Sequence, residues 1–113
     1  MKEGNIILTV ITQADGQQKK RPALILRELP KYGDLLICGI STQLQQCIPD
    51  FDEIIRTEGT DFITSGLTKE SLIRLAFLSV IRRQEAIGSI GEIGIDRHHR
   101  LLSNLSNYIN PKP

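Results

Sequence analysis

Three short stretches of this chain carry side chains whose types and spacing suit chemistry on an anion. Lys19-Lys20-Arg21 gathers three cations. The arginine matters most, because its planar fork meets a phosphate through two parallel hydrogen bonds. The same run also reads as the solvated tip of a hairpin, where exposed charges contribute little. Ser41-Thr42-Gln43 offers two hydroxyls and an amide. These could bond a phosphate and a base edge, or form a polar turn in which Ser and Thr bond their own backbone. No G-x-S-x-G pattern surrounds Ser41, which argues against an acyl-transfer serine. His98-His99 contains acid/base groups, but its position near a helix start marks both as surface residues. Arg74 interrupts an apolar stretch. It could line a site, pair with an acidic residue of the middle third, or sit in a subunit contact.

Other reactive types carry less. Asp52 and Glu53 are neighbours, and neighbours on a strand point to opposite faces. They read as edge charges that deter sheet-to-sheet association. Cys38 and Cys47 are too few for a disulfide framework and lack the close spacing of a structural zinc site. They read as reduced, small, buried hydrophobes. The sequence predicts no metal site and no cofactor.

The elements that must position these residues follow from pattern. Asn5–Thr12 (NIILTVIT) is rich in Ile, Leu, Val and Thr and predicts a strand. Gln13–Lys20 is polar around Asp15-Gly16, a hairpin turn or exposed loop. Pro22–Leu29 predicts the returning strand, with proline at its first position, where a missing N–H does least harm. A Pro/Gly turn leads to Asp34–Ser41, apolar almost throughout and therefore central. Ile48–Ile55 predicts an edge or bulged strand, because Pro49 confines it. Residues 56–67 read as mostly loop, Ser71–Ser79 as a strand, and Ile87–Ile93 as a short, strongly bent strand. Leu101, Leu102, Leu105, Tyr108 and Ile109 form one helical stripe, with Asp96 as the expected N-cap and Pro111 as the stop. The sum is one mostly β domain over residues 1–113, a small antiparallel barrel closed by a C-terminal α-helix.

Composition narrows the class. The chain has 113 residues, 40% hydrophobic and 24% charged, with a net charge of +1, an ordinary globular balance. No apolar run exceeds four residues, which excludes a transmembrane helix. No signal-like segment opens the chain, so the cytoplasm is the expected compartment. The near-zero charge hides an asymmetry. Residues 1–33 and 71–113 each carry six Lys/Arg against three Asp/Glu, whereas residues 34–70 carry two against seven. A basic patch forms if the outer thirds meet in space. Aromatic residues make up only 4% of the chain, so platforms for stacking bases are few.

Several motifs give the sequence a family likeness. Gly4-Asn5-Ile6-Ile7-Leu8 is followed by a polar loop and by Lys20-Arg21-Pro22-Ala23-Leu24-Ile25-Leu26. Cys38-Gly39-Ile40-Ser41-Thr42-Gln43 comes next. Ser65-Gly66-Leu67, Ser71-Leu72-Ile73-Arg74-Leu75 and Ile90-Gly91-Glu92-Ile93 complete the series. Together they resemble the PemK/MazF family of toxin–antitoxin ribonucleases along essentially the whole chain. The chain departs from the family pattern at Asn5, where Asp is usual, at Ser41, where Thr is commoner, and at Ser79, where many members are acidic.

The resemblance implies an SH3-like barrel that forms a homodimer, binds an antitoxin protein, and cleaves single-stranded RNA sequence-selectively without metal. It assigns catalysis to Arg21 and Ser41. Thr42 beside them could bond a non-bridging oxygen, and Gln17, Lys19, Lys20 and Gln43 are the candidate RNA contacts. Arg21 would stabilise the phosphate and, through a relay, protonate the leaving oxygen. The products would carry 2′,3′-cyclic phosphate and 5′-OH ends. Two other readings of the same fold are a non-catalytic module that binds a peptide and a toxin directed at DNA gyrase. A short upstream reading frame with an acidic tail would favour a toxin.

Overall fold

The computed structural model describes residues 1–12 and 14–111. Its strands are β1 (Asn5–Thr12), β2 (Gln18–Glu28), β3 (Leu35–Ser41), β4 (Glu53–Ile55), β5 (Ser71–Ile81) and β6 (Ala86–Glu92). They form one antiparallel sheet in the order β4-β5-β3-β2-β1-β6. The sheet curls into a half-barrel, and a 15-residue helix, α2 (Ile95–Ile109), covers one face.

Each face has its own apolar cluster. Ile6, Leu24, Leu26, Cys38, Ile40, Ile73 and Leu75 point toward α2 and meet Leu101 and Leu105. Ile7, Ala23, Ile25, Leu35 and Ile37 form the other cluster, on the face away from the helix. The alternation along β1, β2 and β3 is what a sheet packed on both sides requires.

The seam between the two edge strands is closed by backbone. A four-residue helix, α1 (Phe62–Ser65), follows β4 and lies against β6. The approach is so close that a Cβ on Gly91 would strike the carbonyl oxygen of Thr64 and the backbone of Ser65. A Cβ on Gly66, which also needs a φ of 73°, would strike the Ile90 carbonyl. Gly91→Ala should therefore cost about 1–3 kcal/mol of stability in urea unfolding. Gly88→Ala, whose Cβ meets nothing within 4 Å, should stay within about 0.5 kcal/mol of the wild type.

Several boundaries differ from those expected. Gln13, first residue of the expected loop, lies outside the described residues. β2 begins at Gln18, so Pro22 sits inside the strand. It is tolerated there because the ladder to β3 stops one residue later, at Ala23–Gly39, while pairing with β1 continues to Gln18. Only the last three residues of Ile48–Ile55 are strand. Pro49 and Asp50, with a φ of 62°, turn the chain before it. α2 starts two residues early, with Gly94 as N-cap. Asp96 lies in the first turn instead, where its charge suits the helix dipole. Leu101 and Leu105 are buried, but Tyr108 and Ile109 remain mostly exposed because the last turn is left uncovered.

Candidate active site

The face away from α2 holds the residues that sequence singled out. Antiparallel partners share a face, so Arg21 lies with Thr9, and Ala23 with Gly39. Gly39 is flanked on its other side by Arg74 of β5. Arg21 and Ser41 each stand two residues beyond the Ala23–Gly39 rung, toward the same end of neighbouring strands. One end of this face therefore gathers Lys19, Arg21, Ser41 and Arg74. Strand spacing across three strands, with a two-residue offset along them, puts the Arg21–Arg74 separation at about 12 Å between backbones. Below them lies a groove of about 530 Å³, lined by Thr9, Ala23, Ile37, Gly39, Phe77 and Ser79 among others.

The hydroxyl at Ser41 makes the local turn that composition allowed. Its Oγ accepts the Gln43 N–H at 3.0 Å, and its proton stays free to donate outward. Thr42 and Gln43 are exposed, and Gln43 Oε1 accepts from Gln45. Gln17 is exposed in the loop, where its N–H donates to Asp15. Lys20 shares β2 with Arg21 but alternates to the opposite face. Lys19 shares the face of Arg21, so the three-cation run is split across the sheet.

The charges sort this face from the rest. The chain has eight arginines. Six lie within 4.0 Å of a carboxylate: Arg27, Arg56, Arg82, Arg83, Arg97 and Arg100. Among the described residues, the two without a carboxylate partner are Arg21 and Arg74. Arg74 donates through Nη1 to Gln46 at 2.8 Å and lies over the Phe77 ring, 3.9 Å from its centre. Its Nε is the one buried side-chain polar atom without a hydrogen bond among the described residues, an arrangement that costs about 1–3 kcal/mol unless an acceptor arrives. Of the three roles the sequence left open for Arg74, pairing with an acidic residue is the one the structure removes. The signal for this second arginine was its place in an apolar strand; what one chain could not show was its position opposite Gly39.

The other candidates serve the fold. His98 is buried, not a surface residue, because its Nε2 lies 2.8 Å from the Leu26 carbonyl and so ties α2 to β2. His99 is exposed on α2, across the sheet from Arg21. Asp52 is likewise no edge charge. It is buried, and it accepts the N–H groups of Ile48 and Leu75, each at 3.0 Å. Glu53 and Asp61 receive Arg97 and Arg100 from α2, so two of the seven acidic residues of the middle third are held on the helix side. Burial pushes the Cys38 thiol well up, which makes it a poor nucleophile. Cys47 is raised too, by partial burial and then by the Asp52 charge. No group of three or more His, Cys, Asp and Glu among the described residues is placed to hold a metal ion. No helix among them is long and apolar enough to cross a membrane.

A curled six-stranded half-barrel, with a helix on one face and on the other an uncharged groove that has cations at one end, defines a small, mostly β class of fold. Residues 2–109 match the family described as PemK-like, MazF-like toxin of type II toxin-antitoxin system, and the chain belongs to that family. Among solved structures the chain is similar to the Mycobacterium tuberculosis toxin MazF-mt6. The TM-score is 0.67 and the identity 20%, over 96% of this chain and 99% of that one. That likeness establishes the half-barrel fold. Sequence comparison with curated proteins finds no match.

Proposed function

We propose that this toxin is a metal-independent, sequence-selective endoribonuclease acting on single-stranded RNA. The observation that carries the reading is the pair Arg21 and Arg74, the two arginines left without carboxylates, on one face beside the Ser41 hydroxyl. Such a site suits a reaction whose nucleophile comes with the substrate. The RNA 2′-OH attacks the adjacent phosphorus, the O2′–P bond forms, and the P–O5′ bond breaks. A proton leaves O2′ and another is delivered to O5′. Neither histidine lies on this face, so those protons pass through water or the Ser41 and Thr42 hydroxyls.

The protein's share is then alignment and charge. Arg21 faces the phosphate, and at 4 Å and an effective dielectric near 20 a unit charge pair is worth about 4 kcal/mol before desolvation. Ser41 and Thr42 orient a non-bridging oxygen. Lys19 and Gln43 flank the path of the strand from the same end. Lys20 and Gln17 add contacts at the rim, and the ionic part of this affinity weakens as salt rises.

The same reading assigns three partners. RNA takes the groove and the cationic end of its face. The antitoxin protein silences it, with acidic side chains as the natural match for two unpaired arginines. A second copy covers the helix-side apolar patch. There Leu78, Val80, Tyr108 and Ile109 are all more than 40% exposed, and a cleft of about 790 Å³ separates the end of α2 from β5. The compartment is the cytoplasm, where messenger RNA is met.

The test is incubation of purified protein with single-stranded RNA in EDTA. Fragments ending in 5′-OH and 2′,3′-cyclic phosphate are expected. Intact RNA together with tight antitoxin-peptide binding would replace the enzyme reading with a binding module. Trapped gyrase on intact RNA would replace it with a gyrase toxin.

A further inference from the structure

We propose that Phe77 is a stacking platform that holds one unpaired base of the RNA beside the cleaved bond, where Ser79 can read its edge. This deepens the ribonuclease reading and rests on it. The strand register slips between the Cys38–Leu78 and Gly39–Arg74 pairs, so β5 bulges across residues 75–77. The bulge turns Phe77 over Gly39, where an ideal Cβ would already lie 3.3 Å from the phenylalanine's own Cβ. Glycine at 39 is thus what lets the ring settle on the sheet. The Arg74 guanidinium covers the ring at 3.9 Å and is itself held by Gln46.

With one side covered in this way, Phe77 still keeps 54% of its surface exposed. Phe77 lines the groove together with Thr9, Ala23, Ile37 and Ser79. A large aromatic that stays half-exposed while fixed by a glycine beneath and a guanidinium against it is a preformed surface for a flat ligand. Every base has a π-face to offer it. Ser79 stands at the groove margin, exposed, and can hydrogen-bond a base edge. From Gly39 to Ser41 is about 7 Å along the strand, a distance one nucleotide spans, so a base on Phe77 leaves its phosphate near Ser41 and Arg21. Leu78 and Val80 belong to the other face of β5, opposite Cys38 and Leu36, so the apolar patch assigned to the second copy does not need this ring.

The experiment uses the full chain, a randomised pool of single-stranded RNA, and the variants Phe77→Ala, Phe77→Leu and Phe77→Tyr. Alanine and leucine should each raise KM about 10- to 100-fold and flatten the base preference at one position beside the cut, with the loss on KM rather than kcat. Tyrosine should restore both. Leucine keeps apolar bulk without a π-face, so a leucine variant that matches wild type would reduce Phe77 to packing and overturn the proposal. So would an alanine variant with unchanged KM and cleavage pattern, or one whose defect follows a shift in oligomeric state on gel filtration.

A 2′-O-methyl RNA pool carrying 2-aminopurine separates this proposal from the ribonuclease reading, because it binds without being cut. Quenching by wild type that is lost in Phe77→Ala and Phe77→Leu supports the platform even if no RNA is cleaved. Binding without quenching overturns the platform alone. No binding at all, with no cleavage, removes both.

Discussion

Arg21→Ala is expected to lower RNA cleavage by about two to three orders of magnitude, the loss seen when a single charge-stabilising donor is removed from a developing oxyanion. The fold should be unaffected. Arg21 is exposed and touches no carboxylate, so removing it strands no partner. Arg21→Lys should recover only part of the rate, since it keeps the charge and loses the fork. Arg27→Ala is the control. That guanidinium lies on the same strand but is bound to Glu3 at 2.9 Å, and cleavage should not change. Single-turnover cleavage of one oligonucleotide, with thermal melts of each variant, decides the matter. An Arg21→Ala enzyme as fast as wild type would remove this side chain from the reaction.

The largest effect on stability should come from Asp61. Its carboxylate accepts Arg97 through both oxygens, at 2.8 and 3.1 Å, and also takes the Gly94 N–H at 3.0 Å. Arg97 continues to Glu53 and to the Ile54 carbonyl. Asp61 and Arg97 are largely buried, with side-chain exposures of 6% and 14%. Asp61→Ala would leave a guanidinium short of its partner and the start of α2 without its acceptor. We expect a loss of about 3 kcal/mol in urea unfolding at neutral pH.

The loss should depend on acidity. Burial pushes the Asp61 carboxyl upward, but the bonds from Arg97 and Gly94 outweigh it and hold the group below its ordinary value of 3.8. A carboxyl held low when folded contributes fully above its unfolded value and loses that contribution as pH falls through the folded one. The gap between wild type and Asp61→Ala should therefore be widest above about pH 5 and narrow below about pH 4. A gap that stays constant into acid would show that the charge on Asp61 is not what binds the helix.

Much of the fold was legible because the signals were local and redundant. β1, β3, β5 and β6 follow apolar patterns bounded by Gly, Pro and polar turns, and their ends fell within a residue or two of expectation. The start of β2 was missed because proline was read as a boundary, whereas only the β3 ladder stops there. α1 was missed because four residues give no periodicity. What holds α1 is the meeting of Gly66 and Gly91 with backbone far away in the chain.

Long-range pairing accounts for the other failures. His98 and Asp52 looked like surface residues, since nothing near them in sequence announces the Leu26 carbonyl or the Leu75 N–H that they bond. Arg21 and Ser41 could be selected from the resemblance, but their placement on one face depends on register. So does the addition of Arg74, which comes from the rung shared with Gly39.

Beyond Ile73, β5 has no strand on its outer side, because β4 pairs only with Ser71–Ile73. The uncovered stretch, Leu75–Ile81, is seven residues without charge, glycine or proline, a composition prone to cross-β assembly when solvent reaches its edge. Arg74 stands at one end and Arg82-Arg83 at the other, in the position of gatekeepers that discourage stacking. Preparations of this chain at high concentration should thus be limited by fibrillar self-association at that margin, and neutralising either flank would hasten it.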